Sequence, residues 1–492
     1  MNALNLSQKL AARSRAGCFL VVFMLAGLLA NSAPAQTLMN LHNFTGNDGS
    51  GTPNTGLILS GNALYGTTEG FEEVVSFLFN YITYYGTLFA VHTDGTSFTN
   101  LYTFPPGNGV FPNTGLVLSG NTLYGTTSGD VLYRPELFSA NTDGTGTMGL
   151  HAFSEGTANG SLPNAMILSG NTLYGTSPFN DSGAGNGALF AINTNGTGYM
   201  TLYNFTTLNN NTNSDGAYPG GGLVQGQVTL YGTASGGGNS GDGTVFAYNL
   251  ISKSFTTLHD FTGSDGASPN GGLTYSHSTL NGMTRSGGTN GNGTVFSIST
   301  KSFRSLYSFT ALSGPVNIFG YGTNSDGASP QGGLVLSGNT LYGTAAGGGK
   351  NGNGTVFAVN TDGTGFRNVY SFSAVSTKSS GVYTNSDGAF PNTGLILSGN
   401  TLYGTTSAGG NSGNGTVFSL ALPPPQLTIT PSGANVILTW PTNAAGFTLQ
   451  VTANLAPPVV WNTNSTVPVV ISGQNFVTNP IAGTQMFFRL MQ

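Results

Sequence analysis

The chain has 492 residues, of which 77 are Gly and 22 Pro, so about a fifth of it favours turns, while only 6% is charged. Salt bridges and coiled-coil edge pairs cannot organise such a chain, and a net charge of −5 offers no basic face for nucleic acid. An aromatic share of 11% excludes disorder, and Gly does not recur at every third position as collagen requires.

The first element in the chain is an address. Lys9, Arg13 and Arg15 precede an apolar run from Ala16 to Ala30, and Ala33-Pro34-Ala35 then places small residues at a cleavable spacing. This pattern is a secretory signal peptide over residues 1–35, its run shorter than the roughly 20 residues of a membrane span. Cleavage near Ala35 removes Cys18, the one cysteine, and three of the 12 Lys+Arg but none of the 17 Asp+Glu, which moves the net charge to about −8. The expected protein is secreted or held in the cell envelope, has no membrane span in its mature chain, and gains stability from size and packing, without disulfides.

Repeats follow. Leu-Tyr-Gly recurs with its glycine at Gly66, Gly125, Gly175, Gly232, Gly343 and Gly404, and Leu280-Asn281-Gly282 fills the one gap, giving a period of about 56 residues. An apolar-Phe pair, from Leu88-Phe89 to Val417-Phe418, also occurs seven times. Each unit parses into four short strands, a to d. In the sixth, strand a is Gly333–Leu336, strand b Thr340–Thr344, strand c Thr355–Val359 and strand d Phe366–Phe372, joined by Asx-Gly and Gly-Asn turns that supply positive φ. Four antiparallel strands at this period predict a propeller blade. Strand d ends units one to six, at Phe104, Phe153, Phe205, Phe261, Phe309 and Phe372, but the seventh unit stops at Leu422. Its fourth strand stands at the other end of the chain, as Thr37–Phe44. The expected fold is therefore all-β: a seven-bladed β-propeller over residues 36–422, closed by the N-terminal strand. A proline linker, 423–425, leads to residues 426–492, whose alternating runs predict a small β-sandwich of fibronectin type III kind with Trp440 as its core anchor.

The whole unit, as in Gly332-Gly-Leu-Val-Leu-Ser-Gly-Asn-Thr-Leu-Tyr-Gly-Thr344 followed by Asn353-Gly-Thr-Val-Phe-Ala-Val-Asn-Thr-Asp-Gly-Thr364, resembles the GloVer tandem repeat, named from Gloeobacter and Verrucomicrobia. The resemblance covers most of 36–422. It implies an exported bacterial protein of uncharacterised activity, from a family with varied C-terminal anchoring regions. A looser similarity to Kelch-type blades lies in the Gly pairs and aromatics.

In such a blade the a-b and c-d turns share one face and the b-c and d-a loops the other. Length collects on the second face, in the d-a loops Thr206–Pro219, Thr310–Pro330 and Ser373–Pro391 and the b-c insertion Glu69–Tyr85, so a ligand is expected there. Asp-Gly stands in five d-a loops, at Asp48, Asp215, Asp265, Asp326 and Asp387. These carboxylates either ring the mouth of the central channel, ready for sugar hydroxyls or a cation, or close turns on their own backbone, the reading favoured because Asp-x-Asp is absent. His42, His151 and His259 take the strand d slot filled elsewhere by Tyr102, Tyr203, Tyr307 and Tyr370, which argues for packing over metal ligation. Tyr218, Phe319, Tyr321, Tyr383 and Phe390, on d-a loops, are candidates for stacking on a sugar. The insertion is read as a hairpin extension, with a channel cap or partner dock as alternatives, and Glu72 or Glu73 beside Asp48 is the one carboxylate pair considered for glycoside chemistry.

No nucleophile triad, phosphate loop or metal-ligand spacing is present in the sequence, and neither cofactor nor metal is expected. The leading reading is a binding or scaffold module that recognises polysaccharide or a cell-surface protein through the long-loop face. A carbohydrate hydrolase or lyase, and a purely structural envelope component, are the alternatives.

Overall fold

The computed structural model describes residues 37–491 except 47, 49–51, 54, 70, 75–80, 85, 106–110, 113, 129–133, 154–165, 180–184, 300–301, 379–380, 442–446, 472–473 and 481–484, and gives the backbone alone within 71–74 and 81–84. The signal-peptide reading lies outside these residues. Every described element is a strand.

Sequence and strand order run together in the repeat region. Sheet one pairs Ile58–Ser60, Ala63–Thr68, Thr87–His92 and Thr99–Thr103 in that order. Sheets three, four, five and six repeat the a-b-c-d order, from Met166–Ser169 through Arg367–Ser371, and sheet two splits its first strand into Phe111–Pro112 and Val117–Ser119. In sheet seven Ile396–Ser398, Thr401–Thr406 and Thr416–Ala421 are completed by Leu38–Asn43, with Leu38 opposite Leu420 and Asn43 opposite Thr416. The N-terminal strand thus fills the fourth place, as the missing strand d required.

The two sequence signatures are halves of one contact. Gly66 of strand b lies opposite Phe89 of strand c, and a Cβ on Gly66 would sit 2.6 Å from the Phe89 ring. The other units repeat this, for example Gly125 under Phe138 and Gly343 under Phe357, at 2.5 and 2.7 Å. Only glycine leaves room for the tip of the ring over the neighbouring strand. The same Phe marks a register shift against the fourth strand in all seven sheets, as between Val245 and Phe246, and such bulges strengthen strand twist.

Packing runs from each sheet to the next. Tyr65, Leu88 and Phe104 of the first unit share a cluster with Leu116, Leu123 and Phe138 of the second, and equivalent clusters join the later neighbours. Leu41, Phe44, Tyr403 and Val417 then meet Leu57, Leu64, Phe89 and Val91, which packs the seventh sheet on the first. Buried rings of this size contribute roughly 1.5–3 kcal/mol each. Hydroxyls add links between sheets: Thr233 Oγ1 donates to Gly271 O at 3.3 Å, Thr344 Oγ1 to Thr393 O at 2.9 Å and Thr405 Oγ1 to Thr55 O at 3.5 Å. In unit five Met283 replaces this threonine.

Beyond Pro425 a four-stranded sheet, ordered Thr428–Ser432, Asn435–Pro441, Gln474–Pro480 and Val469–Ile471, accompanies a three-stranded one, ordered Asn462–Thr463, Thr448–Thr452 and Phe487–Met491. Leu438, Trp440 and Val477 of the first form one buried cluster with Leu449 of the second, and Phe488 and Leu490 pack against it. Strands Asn462–Thr463 and Gln474–Pro480 escaped the sequence reading, since the first is two residues long and the second is mostly polar.

Candidate functional site

The d-a and b-c loops meet on one face, as the bridges Ala217 to Gly236, Ala267 to Ser286 and Ala389 to Ala408 show. The five Asp-Gly carboxylates lie among these loops, each bound to its own chain. Asp326 Oδ2 accepts from the Tyr307 hydroxyl at 2.7 Å and the Thr310 N–H at 2.8 Å, while Thr310 Oγ1 donates to Oδ1. Asp215 is held in the same way by Tyr203 and Thr206, and Asp387 by Tyr370 and Ser373. Where strand d carries histidine, His42 Nε2 meets Asp48 Oδ2 at 2.8 Å and His259 Nε2 meets Asp265 Oδ2 at 2.9 Å, with Thr45 and Thr262 supplying the other donors. The Asp backbone reaches the following sheet: Thr244, Thr294 and Thr355 Oγ1 donate to the carbonyls of Asp215, Asp265 and Asp326. Each carboxylate therefore clamps the end of one sheet's strand d, and three of the Asp residues also hold strand c of the next sheet. Asp215, Asp326 and Asp387 are buried.

These contacts shift the titrations. Burial above all, then the hydrogen bond to the carboxylate, holds the Tyr203, Tyr307 and Tyr370 phenols well above their ordinary range. Burial lowers His42 and His259, and the facing Asp48 and Asp265 oppose it only in part. His42 stacks on Phe98 at 3.5 Å, His259 on Phe303 at 3.7 Å and His151 on Tyr199 at 4.7 Å, which is packing within the fold. Among the described residues no three His, Cys, Asp or Glu side chains are grouped for a metal ion.

The stacking candidates divide. Phe319 and Phe390 lie 4.1 Å apart by ring centres, with Tyr321 5.8 Å from Phe390 and Tyr383 6.0 Å from Phe319, so four of the five form one cluster. Tyr218 stands apart, beside Phe179 at 6.1 Å. Tyr218 and Tyr383 are 38% and 36% exposed, enough to offer a ring edge to a ligand, and Val316, Ile318 and Val382 add exposed apolar surface to the d-a loops that carry the cluster.

Tyr218 and Phe390 share an unusual backbone. With Ser268 and Ser329 they occupy the place before Pro219, Pro391, Pro269 and Pro330, all four left-handed at φ of 56°, 59°, 53° and 53°. Such conformations cost roughly 1–3 kcal/mol for a residue with a Cβ and persist only where neighbours enforce them. Here each N–H donates to a carbonyl before strand c, as Ser268 to Asp242 and Phe390 to Asn353. For Tyr218, Ser268 and Phe390 the carbonyl also accepts from the residue after strand b: Ser235, Arg285 and Ser407.

Between sheets four, five and six lies a polar hollow of about 410 Å³, bounded by Ser235, Ser268, Asn270, Arg285, Ser286 and Ser329. The sequence reading missed it. The available signal was that unit five departs from its siblings, with Asn281 and Met283 for Tyr and Thr and a cation where the others carry Glu69, Ser128, Pro178, Ser235, Ala346 or Ser407. Nearby, burial raises the Asp242 carboxyl, helped by Asp265 and Asp260. In the insertion Phe71–Val74 pairs antiparallel with Tyr81–Tyr84, the form of a hairpin extension. The side chains of Glu72 and Glu73, and with them the proposed pairing to Asp48, lie outside the described residues. No helix among the described residues is long and apolar enough to cross a membrane.

A family model described as the Gloeobacter/Verrucomicrobia repeat matches residues 136–321 and 313–435. No curated protein matches the chain. Among solved structures, oligogalacturonate lyase from Vibrio parahaemolyticus is 9% identical, over 80% of this chain and 95% of that one, with a TM-score of 0.46. The β-propeller domain of the Trilobed protease from Pyrococcus furiosus is 6% identical, over 74% and 93%, with a TM-score of 0.41. A puromycin-hydrolysing peptidase of Mycobacterium tuberculosis is 10% identical, over 79% and 57%, with a TM-score of 0.44. Similarity at this level transfers no activity.

Proposed function

The chain belongs to the Gloeobacter/Verrucomicrobia repeat family, and from that premise we propose that it is an exported seven-bladed β-propeller, closed by its N-terminal strand and followed by a fibronectin-like sandwich, that binds polysaccharide through its long-loop face. The observation that carries the binding reading is the aromatic cluster of Phe319, Tyr321, Tyr383 and Phe390, which shares that face with a hydroxyl-lined hollow. Aromatic faces stack on the apolar side of a pyranose while serine and asparagine side chains meet its hydroxyls. The five Asp-Gly carboxylates hold the loops that carry this surface, and each of their oxygens already accepts a hydrogen bond from strand d or from the loop. Export rests on the Lys9 to Ala35 pattern.

The purified chain, incubated with insoluble neutral and acidic polysaccharides, should be retained, and Tyr383→Ala with Phe390→Ala should abolish retention while the chain keeps its cooperative unfolding transition. Retention unaffected by these substitutions would refute the site. A second reading, a carbohydrate hydrolase or lyase, is favoured by the raised Asp242 carboxyl beside Asp260 and Asp265. Release of reducing or unsaturated ends in the same tubes, lost in Asp242→Asn, would establish it in place of simple binding.

A further inference from the structure

We propose that the hollow bounded by Ser235, Ser268, Asn270, Arg285, Ser286 and Ser329 takes one uronic-acid residue of a mostly neutral polysaccharide, Arg285 meeting its carboxylate and the serines and Asn270 its hydroxyls. This deepens the polysaccharide reading and rests on it.

Four observations converge. The hollow, at about 410 Å³, is within the range of small-ligand sites, roughly 300–1,000 Å³. Arg285 is exposed and, among the described residues, forms no ion pair. Its planar fork matches a carboxylate in two-point contact, and its backbone is fixed by the 3.2 Å hydrogen bond from its N–H to Ser268 O. Asn270 Oδ1 is out of solvent and has no hydrogen-bond donor, so a turn of its amide into the hollow, where it would meet a ligand hydroxyl, breaks no existing bond of that oxygen. Ser235 and Ser286 hydroxyls donate to Tyr218 O and Ala267 O, at 3.1 and 3.3 Å, so their lone pairs remain for donors from the ligand.

The strained backbone fits the same use. Ser268 and Ser329 supply hydroxyls to the hollow from the position at which Tyr218 and Phe390 supply rings in the flanking units. Polar contact in the middle with rings to either side suits a sugar chain lying across successive sheets. Charge decides the density of acid groups. A chain carrying excess negative charge repels a polymer with a carboxylate on every residue, whereas one isolated carboxylate gains the fork of Arg285 at less of that cost, with Asp242 the acid nearby.

The probes are glucuronoxylan, whose acid groups are sparse branches on a neutral backbone, and the same polymer after carboxyl reduction. They are titrated into the wild-type chain and into Arg285→Gln, Arg285→Lys and Asn270→Asp, with melting temperature as the folding control. Wild type is expected to bind the acidic form about tenfold more tightly than the reduced form, the order of a charge-assisted contact. Arg285→Gln should bind both forms at the level of the reduced one, Arg285→Lys should recover part of the preference, and Asn270→Asp should turn it against the acid. Equal wild-type binding to both polymers, or a preference that survives Arg285→Gln, overturns the uronate site and leaves the polysaccharide reading in place. Absence of binding to either polymer by wild type removes both.

Discussion

Replacing Asp326 with Ala tests the clamp that joins successive sheets. The carboxylate is 2% exposed and accepts from the Tyr307 hydroxyl, the Thr310 N–H and the Thr310 hydroxyl. The Thr310 hydroxyl can turn elsewhere, but the Tyr307 hydroxyl and the Thr310 N–H lose their acceptor; an unsatisfied buried donor costs roughly 1–3 kcal/mol, and because Tyr307 is half-buried and Thr310 exposed, water takes up part of that loss. Asp326→Ala should therefore destabilise the repeat region by about 2 kcal/mol. Asp326→Asn keeps one carbonyl oxygen for the two donors on Oδ2 and turns its amide toward Thr310 Oγ1, which can accept. Only the charge assistance is lost, so about 1 kcal/mol is expected. Urea unfolding followed by near-ultraviolet dichroism of tyrosine is the assay. The two tryptophans, Trp440 and Trp461, lie beyond the repeats, and their fluorescence should report an unchanged transition. An Ala variant within about 0.5 kcal/mol of wild type, the range of neutral surface changes, or an Asn variant as damaged as the Ala variant, would refute the clamp.

Three further outcomes follow from the same contacts. His42 and His259 hold pKa values below the ordinary 6.5, so the unfolded chain takes up protons first and stability falls as pH drops below that value; His42→Tyr with His259→Tyr, which installs the donor used at Tyr203, should flatten urea midpoints measured between about pH 7 and 5. Phe44, fully buried where the seventh sheet meets the first, should cost about 3–5 kcal/mol as Phe44→Ala by urea unfolding, and removal of residues 37–44 should enlarge the radius of gyration in small-angle scattering by freeing the seventh sheet from the first. A Cβ on Gly271 would stand 1.8 Å from Gly332 O, so Gly271→Ala must push two sheets apart and should lower the thermal midpoint by several degrees, whereas Gly291→Ala, with nothing within 4 Å, costs only the strain of its positive φ.

The tandem units, their four strands and the displaced strand d were all legible in the sequence, because each is a local pattern: alternation, Asx-Gly turns and a fixed spacing of Leu-Tyr-Gly. Trp440 at the centre of the C-terminal cluster was legible for the same reason. Pairings between units were not. The sequence displays Asp326 and Tyr307 as two separate series, an Asp-Gly set and an aromatic slot, with nothing to say that one hydrogen-bonds the other across 19 residues. Leu-Tyr-Gly and apolar-Phe likewise read as independent signatures until register puts Phe89 over Gly66. The polar hollow is further removed still, since Ser235, Arg285 and Ser329 come from three units and meet only because consecutive sheets pack side by side. Sequence periodicity determined what each unit is, through forces that act within a few residues, while the packing of one unit on the next decided which side chains are consumed by the fold and which are left to face a ligand.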